Sequence, residues 1–149
     1  MDKTIKTQVL EAIQEALATI TEVKTIARIP ATGIDLDVAP TPALFFYDES
    51  ETRDKRNRLA VGTMKIIIFA YIALQMSDYD SAGEMADFLQ GKVHTVMTQE
   101  ILTGQPLIQM MVEGPVLKDY PNDEYMVLIM EYNVTYQHTW GNAFSVANF

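Results

Sequence analysis

The sequence predicts a single α+β domain over residues 1–149, a mainly antiparallel sheet packed by two helices in the order α-β-β-β-α-β-β. Three observations carry this expectation. Apolar residues recur at helical spacing in two segments, and they alternate with period two in two long ones. Prolines, glycines and a dense charge cluster punctuate the chain between them. At 149 residues, 48% of them hydrophobic, the chain has the length of one domain and is expected to bury roughly 69% of its unfolded surface. No internal repeat or linker divides it.

The first helix is expected over Ile5–Ile20. Ile5, Val9, Ile13, Ala16, Leu17 and Ile20 line one face, Asp2 is placed to cap its start, and the β-branched run Thr19–Thr21 weakens its end. Val23–Ile29 reads as a short strand stopped by Pro30, and 30–42 as a proline-rich loop. Ala43–Tyr47 (ALFFY) is a compact apolar strand. The next stretch, DESETRDKRNR at 48–58, holds four acids and four bases. This density of charge predicts a solvated hairpin tip or a flexible loop that stays unburied, with paired signs available for contacts between subunits. Leu59–Leu74 follows as a long strand.

Ser81 and Glu84 form a capping box that opens a second helix through Met85, Leu89, Val93, Val96, Met97 and Ile101, ended by Gly104 and Pro106. Leu107–Leu117 reads as a strand interrupted by Gly114-Pro115, at an edge or a bulge. Tyr125–His138 is the second long strand, and 139–149 an irregular apolar tail. Trp140, Phe144 and Phe149 either fold onto the domain or dock onto another protein. Core filling is the default for Met85, Met97, Met110, Met111, Met126 and Met130, with adaptable packing against a partner as the alternative.

In the two long strands the even positions from Met64 to Leu74 and from Met126 to Tyr136 are all apolar, and the odd positions only in part. Pairing Ile67 with Ile129 would match the apolar halves and set Lys65 opposite Glu131. One sheet face is then fully covered and the other half covered. A 14-residue strand spans roughly 46 Å, whereas a domain of this size is about 38 Å across. The strand therefore bends, or it projects as an assembly device whose sheet a neighbour completes or whose face it covers.

Composition narrows the function. Net charge is −9, with no Cys, which excludes disulfides, thiol catalysis and Cys-based zinc sites. Residues 1–65 carry nine bases and ten acids, whereas 66–149 carry only Lys92 and Lys118 against ten acids. Such a balance argues against gripping a phosphate backbone. The start MDKTIKTQ lacks the apolar core of a signal peptide, and no apolar run reaches membrane-span length, so the protein is expected to remain where it is made. His94 and His138 stand without a nucleophile motif. Asp78-x-Asp80-x-x-x-Glu84 is read as ordinary helix capping rather than a metal site. No cofactor, metal or enzyme activity is expected.

The element order and patterning resemble the tail terminator (tail completion) proteins of long-tailed bacteriophages. The resemblance covers roughly residues 3–140: an amphipathic helix at Ile5–Ile20, a Pro-led apolar strand in PTPALFFY, a charged hairpin, a long strand, a central helix and two final antiparallel strands. It implies a homo-hexameric ring that caps the head-proximal end of the tail tube, stops tube polymerisation and presents a surface to head-completion (neck) proteins. It also implies a virion location after synthesis in the bacterial host cytoplasm, and no catalytic residues. Interface candidates come from the physical reading instead: Arg53, Lys55, Arg56 and Arg58 of the hairpin, Glu131, Asn133, Thr135 and Gln137 of the last strand, and Trp140 and Phe144 of the tail. Asp119, Asp123 and Glu124 are candidates for an acidic lumen past which DNA slides without adhering. The alternatives are another neck component, or a small acidic binding domain with a pocket under the half-covered sheet face.

Overall fold

The computed structural model describes residues 3–28, 40–75, 81–100 and 107–144. Asp2, the loop from Pro30 to Ala39, Asp78 and Asp80, the helix end at Ile101, Gly104 and Pro106, and Phe149 lie outside the described residues.

Helix α1 spans Ile5–Leu17. Its N-cap is Thr4, whose hydroxyl accepts a hydrogen bond from the Thr7 N–H at 3.0 Å, rather than Asp2. It ends three residues before the expected Ile20. There the Thr19 hydroxyl donates to the Ala16 carbonyl at 2.6 Å, a local bond that competes with the helical ladder. Strand β1 is Thr25–Arg28 and β2 is Ala43–Arg56; β2 follows a cis Thr41-Pro42 peptide. Strand β3 covers Leu59–Ala73.

Helix α2, Ala82–Thr95, opens on Ser81 as the expected N-cap, its Oγ accepting from the Glu84 N–H at 3.1 Å; the reciprocal Glu84 side-chain bond of the expected box is not formed. A π-helical turn, Val96–Glu100, continues it. Strands β4, Ile108–Asp119, and β5, Tyr125–Thr139, complete the chain.

The five strands form one sheet in the order β1-β2-β3-β5-β4, antiparallel except for the β1–β2 pair. The α+β class and element order therefore stand as read. The β3–β5 ladder runs unbroken from Leu59↔Thr139 to Ala73↔Tyr125. The sheet's bulges lie in the flanking strands, at Asp48/Ser50 in β2 and at Ile108/Met110 and Glu113/Val116 in β4.

Both helices pack on the face formed by the even positions of β3 and β5. Met64, Ile66, Ile68, Ala70, Ile72, Leu128 and Val134 are fully buried there with Ile5, Val9, Ile13, Leu89 and Val93 of the helices. Tyr132 and Tyr136 are the largest side chains in this core.

Two expectations are corrected. The register lies two residues from the expected one: Ile129 faces Phe69, Ile67 faces Glu131 and Lys65 faces Asn133. A shift of two keeps every side chain on its face, so apolar matching cannot distinguish the alternatives. Lys65 still reaches Glu131 diagonally, Nζ to Oε1 at 3.4 Å. Secondly, of the two readings of 48–58, the hairpin stands and the flexible loop does not: residues 48–56 are strand, because the outer half of β3 pairs with them down to Arg56↔Leu59. Only Asn57 and Arg58 turn the chain, with Asn57 at φ +58°, a left-handed conformation that asparagine tolerates well.

Candidate assembly interface

The long β2–β3 hairpin sorts its charges along its length. The bulge after Asp48 adds one residue, so Asp48 and Glu51 both fall on the helix-bearing face. Lys6 of α1 meets both, at 2.9 Å to Asp48 and 3.3 Å to Glu51, and Arg28 of β1 reaches Asp48 at 2.9 Å. The expectation that this charged stretch stays out of the interior therefore fails for these two acids, whose side chains are 19% and 15% exposed. They are half-buried because each has cationic partners.

Burial alone would raise the Asp48 carboxyl, but hydrogen bonds from Lys6 and Arg28 outweigh it and hold the group below its ordinary value. Burial would likewise lower Lys6, yet the Asp48 hydrogen bond and the charge of Glu51 raise it.

Beyond Glu51 the hairpin is basic. Arg53, Lys55, Arg56 and Arg58 are exposed, against Asp54 alone, which Arg56 meets at 3.4 Å. Arg53 leans towards Glu51 at 3.6 Å. The segment after β5 returns to this end: the Trp140 N–H donates to the Arg58 carbonyl and the Ile5 N–H to the Ala143 carbonyl, both at 2.8 Å. Trp140 thus sits beside the hairpin, its ring 4.8 Å beneath the Lys55 ammonium. A cleft of about 470 Å³ opens between hairpin and tail, lined among others by Arg53, Asp54, Lys55, Ala60, His138 and Trp140. It lies at the hairpin end of the sheet rather than under the helix-free face. Trp140 and Phe144 remain half exposed.

The helix-free face has two halves. Phe45, Tyr47, Phe69 and Tyr71 form an aromatic cluster, with Tyr47 and Phe69 stacked at 5.8 Å and Phe45 edge-on to Tyr71 at 5.8 Å. Ile67 and Val127 are buried beside them, apart from the helix-packed core. Glu131, Asn133, Thr135 and Gln137 occupy the other half on β5, opposite Ile67, Lys65, Thr63 and Val61. Thr63 and Thr135 share a hydroxyl hydrogen bond at 3.2 Å. Along the edge, β4 places Met110, Val112 and Leu117 on this same face by its pairing with Thr135, Asn133 and Ile129, and all three are exposed.

Met110 thus departs from the core-filling expectation that Met85, Met97, Met111, Met126 and Met130 fulfil. Sequence reading missed Val112 and Leu117 as interface candidates. The signal was present, since an edge strand broken by Gly114-Pro115 has one side with nothing to pack against.

Asp119, Asp123 and Glu124 lie at the opposite end of the sheet. The turn that carries them is pinned by its own polar groups: Asp119 accepts from the Tyr120 N–H, and Asn122 Oδ1 from the Glu124 and Tyr125 N–H groups. Tyr120 stands out between these acids, 61% exposed. Basic hairpin and acidic turn are therefore separated by the whole length of β3 and β5.

The two histidines lie apart, His94 on α2 and His138 in the wall of the cleft. His94 sits on α2 with Nδ1 3.1 Å from Glu113 Oε2, and His138 is buried near the end of β5 with Nδ1 2.9 Å from the Thr139 carbonyl oxygen.

Among the described residues, no helix is long and apolar enough to cross a membrane. A scan against protein-family models returned no match to this chain, and a search of curated proteins likewise returned none.

Proposed function

We propose that this chain is a structural assembly subunit that forms a homomeric ring, in the role of a phage tail terminator. In this reading the ring caps the head-proximal end of a tail tube, ends tube growth and joins the tail to head-completion proteins in the virion. The observation that carries it is the helix-free sheet face. An aromatic cluster, buried Ile67 and Val127, and exposed Met110, Val112 and Leu117 share one side of a sheet whose helices, among the described residues, lie on the other. Large contiguous apolar patches are rare on soluble monomers and mark surfaces used for association.

The polar half of the face, Glu131 to Gln137, supplies the hydrogen-bonding rim that such interfaces have. The acidic C-terminal half suits a channel past which DNA slides, because like charge suppresses adhesion. Edge strands β1 and β4 favour covering of the face over completion of the sheet. β1 has only four residues, and β4 is bulged and carries Pro115.

Negative-stain imaging of the protein alone and mixed with tail tubes tests the reading. Sixfold rings at one end of each tube are the expected result. Absence of any tube binding overturns it.

A further inference from the structure

We infer that neighbouring subunits contact head to tail, the acidic β4–β5 turn of one copy docking its Tyr120 into the hairpin–Trp140 cleft of the next. This rests on the ring reading and names the contact that closes the ring. The cleft combines an apolar floor, Ala60 and the Trp140 ring, with cationic walls, Arg53 and Lys55. Asp54 also lines the cleft, where Arg56 engages it at 3.4 Å, and Arg53 leans on Glu51 at 3.6 Å, which leaves Lys55 as the cation placed over the aromatic floor. A ligand suited to such a cleft has a flat apolar group flanked by carboxylates. The turn Asp119-Tyr120-Pro121-Asn122-Asp123-Glu124 offers this: an exposed aromatic ring among three acids, on a backbone already fixed by Asp119 and Asn122. A tyrosine on a preorganised turn is an economical anchor, since little freedom is lost on docking.

Geometry makes the contact intermolecular. The cleft lies beyond Leu59↔Thr139 and the turn beyond Ala73↔Tyr125, 15 paired positions apart on an unbroken ladder. That is roughly 46 Å at the rise of a strand, so a copy cannot close on itself. Unlike ends that recognise each other make a heterologous contact, which generates a ring when the rotation closes. Asp119, Asp123 and Glu124 then serve the subunit contact, and the channel falls to the remaining acids of the C-terminal half.

The absence of cysteine in the chain allows a direct test. Asp54→Cys lies at the cleft and Asp123→Cys on the turn, both at exposed positions. Mild oxidation of the two single variants mixed together should give heterodimers and few homodimers, and the double variant should give a ladder ending at the ring size. Homodimers from either single variant would indicate a symmetric contact and overturn the proposal. Absence of cross-links while sedimentation still reports multimers would overturn it and leave the ring reading standing, the cleft then being filled by the chain's own tail or by a small ligand. A monomer at all concentrations, with no tube binding, would overturn both.

In sedimentation, Tyr120→Ala should weaken self-association roughly thirtyfold, as loss of an anchor does, and Tyr120→Phe should retain most of it. Lys55→Glu should weaken it too, and adding Glu124→Lys should restore it. Failure of that rescue, with Tyr120→Ala silent, would count against the docking.

Discussion

The Tyr136 hydroxyl donates to the Glu51 carboxylate across the width of strand β3, from β5 to β2. Gly62 makes this reach possible. It sits between them in the ladder, opposite both Tyr136 and Arg53, and a Cβ built on it would lie 2.7 Å from the Tyr136 ring. Burial first, and the hydrogen bond to Glu51 second, push the Tyr136 hydroxyl well above the ordinary tyrosine value. The ring therefore stays protonated and remains a donor.

Gly62→Ala is expected to cost about 1–3 kcal/mol, because a rigid ring rather than a flexible side-chain end must move. Tyr136→Phe should cost about 1.5–3 kcal/mol, the value of a hydrogen bond to a charged group. Urea unfolding monitored through Trp140 would measure both. A loss under 0.5 kcal/mol for Tyr136→Phe would mean that Lys6 and Arg53 satisfy Glu51 without it.

The Lys6–Asp48 pair sets a pH window. Asp48 has a folded pKa below its ordinary 3.8, so its stabilisation is present above that value and is lost as pH falls through the lower folded value. Lys6 has a folded pKa above 10.5, so its share is present below 10.5 and is lost as pH rises through the higher folded value. Thermal melts should place the difference between the wild type and Asp48→Asn at full size from pH 5 to 9. That difference should shrink below about pH 4. A difference independent of acid would remove the ion pair as its cause.

Ser81→Ala removes the oxygen that satisfies the Glu84 N–H at the start of α2. The expected loss is about 1 kcal/mol, recovered in large part by Ser81→Asp. Far-UV circular dichroism during chemical unfolding would report it, and a neutral substitution would show that packing alone fixes the start of the helix.

Leu117→Lys and Met110→Lys alter exposed side chains on the helix-free face. Folding stability should stay within about 0.5 kcal/mol of the wild type, whereas ring or tube assembly should fail. Glu131→Lys, or charge reversal at Arg53, Lys55 and Arg56 together, should also weaken assembly with the fold intact. An unchanged oligomer on a sizing column would separate these residues from the interface.

Periodicity made the helices and the long strands legible, and Ser81 as N-cap fixed one helix start. What escaped reading has physical reasons. The two-residue register offset is invisible to a pattern of period two, as the survival of the Lys65–Glu131 contact shows. Residues 48–56 read as a hairpin tip or a loop because charge dominates their composition, whereas pairing with the first half of β3 makes them a strand. The bulge at Asp48/Ser50 reversed the alternation at this point, so Asp48 and Glu51 could not be recognised as sharing a face with Lys6. The basic hairpin and the acidic turn were identifiable as charge clusters. Their placement at opposite ends required the ladder.

The irregular β4 edge has a bearing on behaviour in concentrated stocks. Two bulges and a proline without an N–H leave an incoming strand no continuous row of donors and acceptors, while the four residues of β1 offer too short a template at the other edge. The molecule is thereby guarded against fibre growth by backbone addition. Side chains on its open face and at its two ends, which point mutation can tune individually, are left to decide what it sticks to.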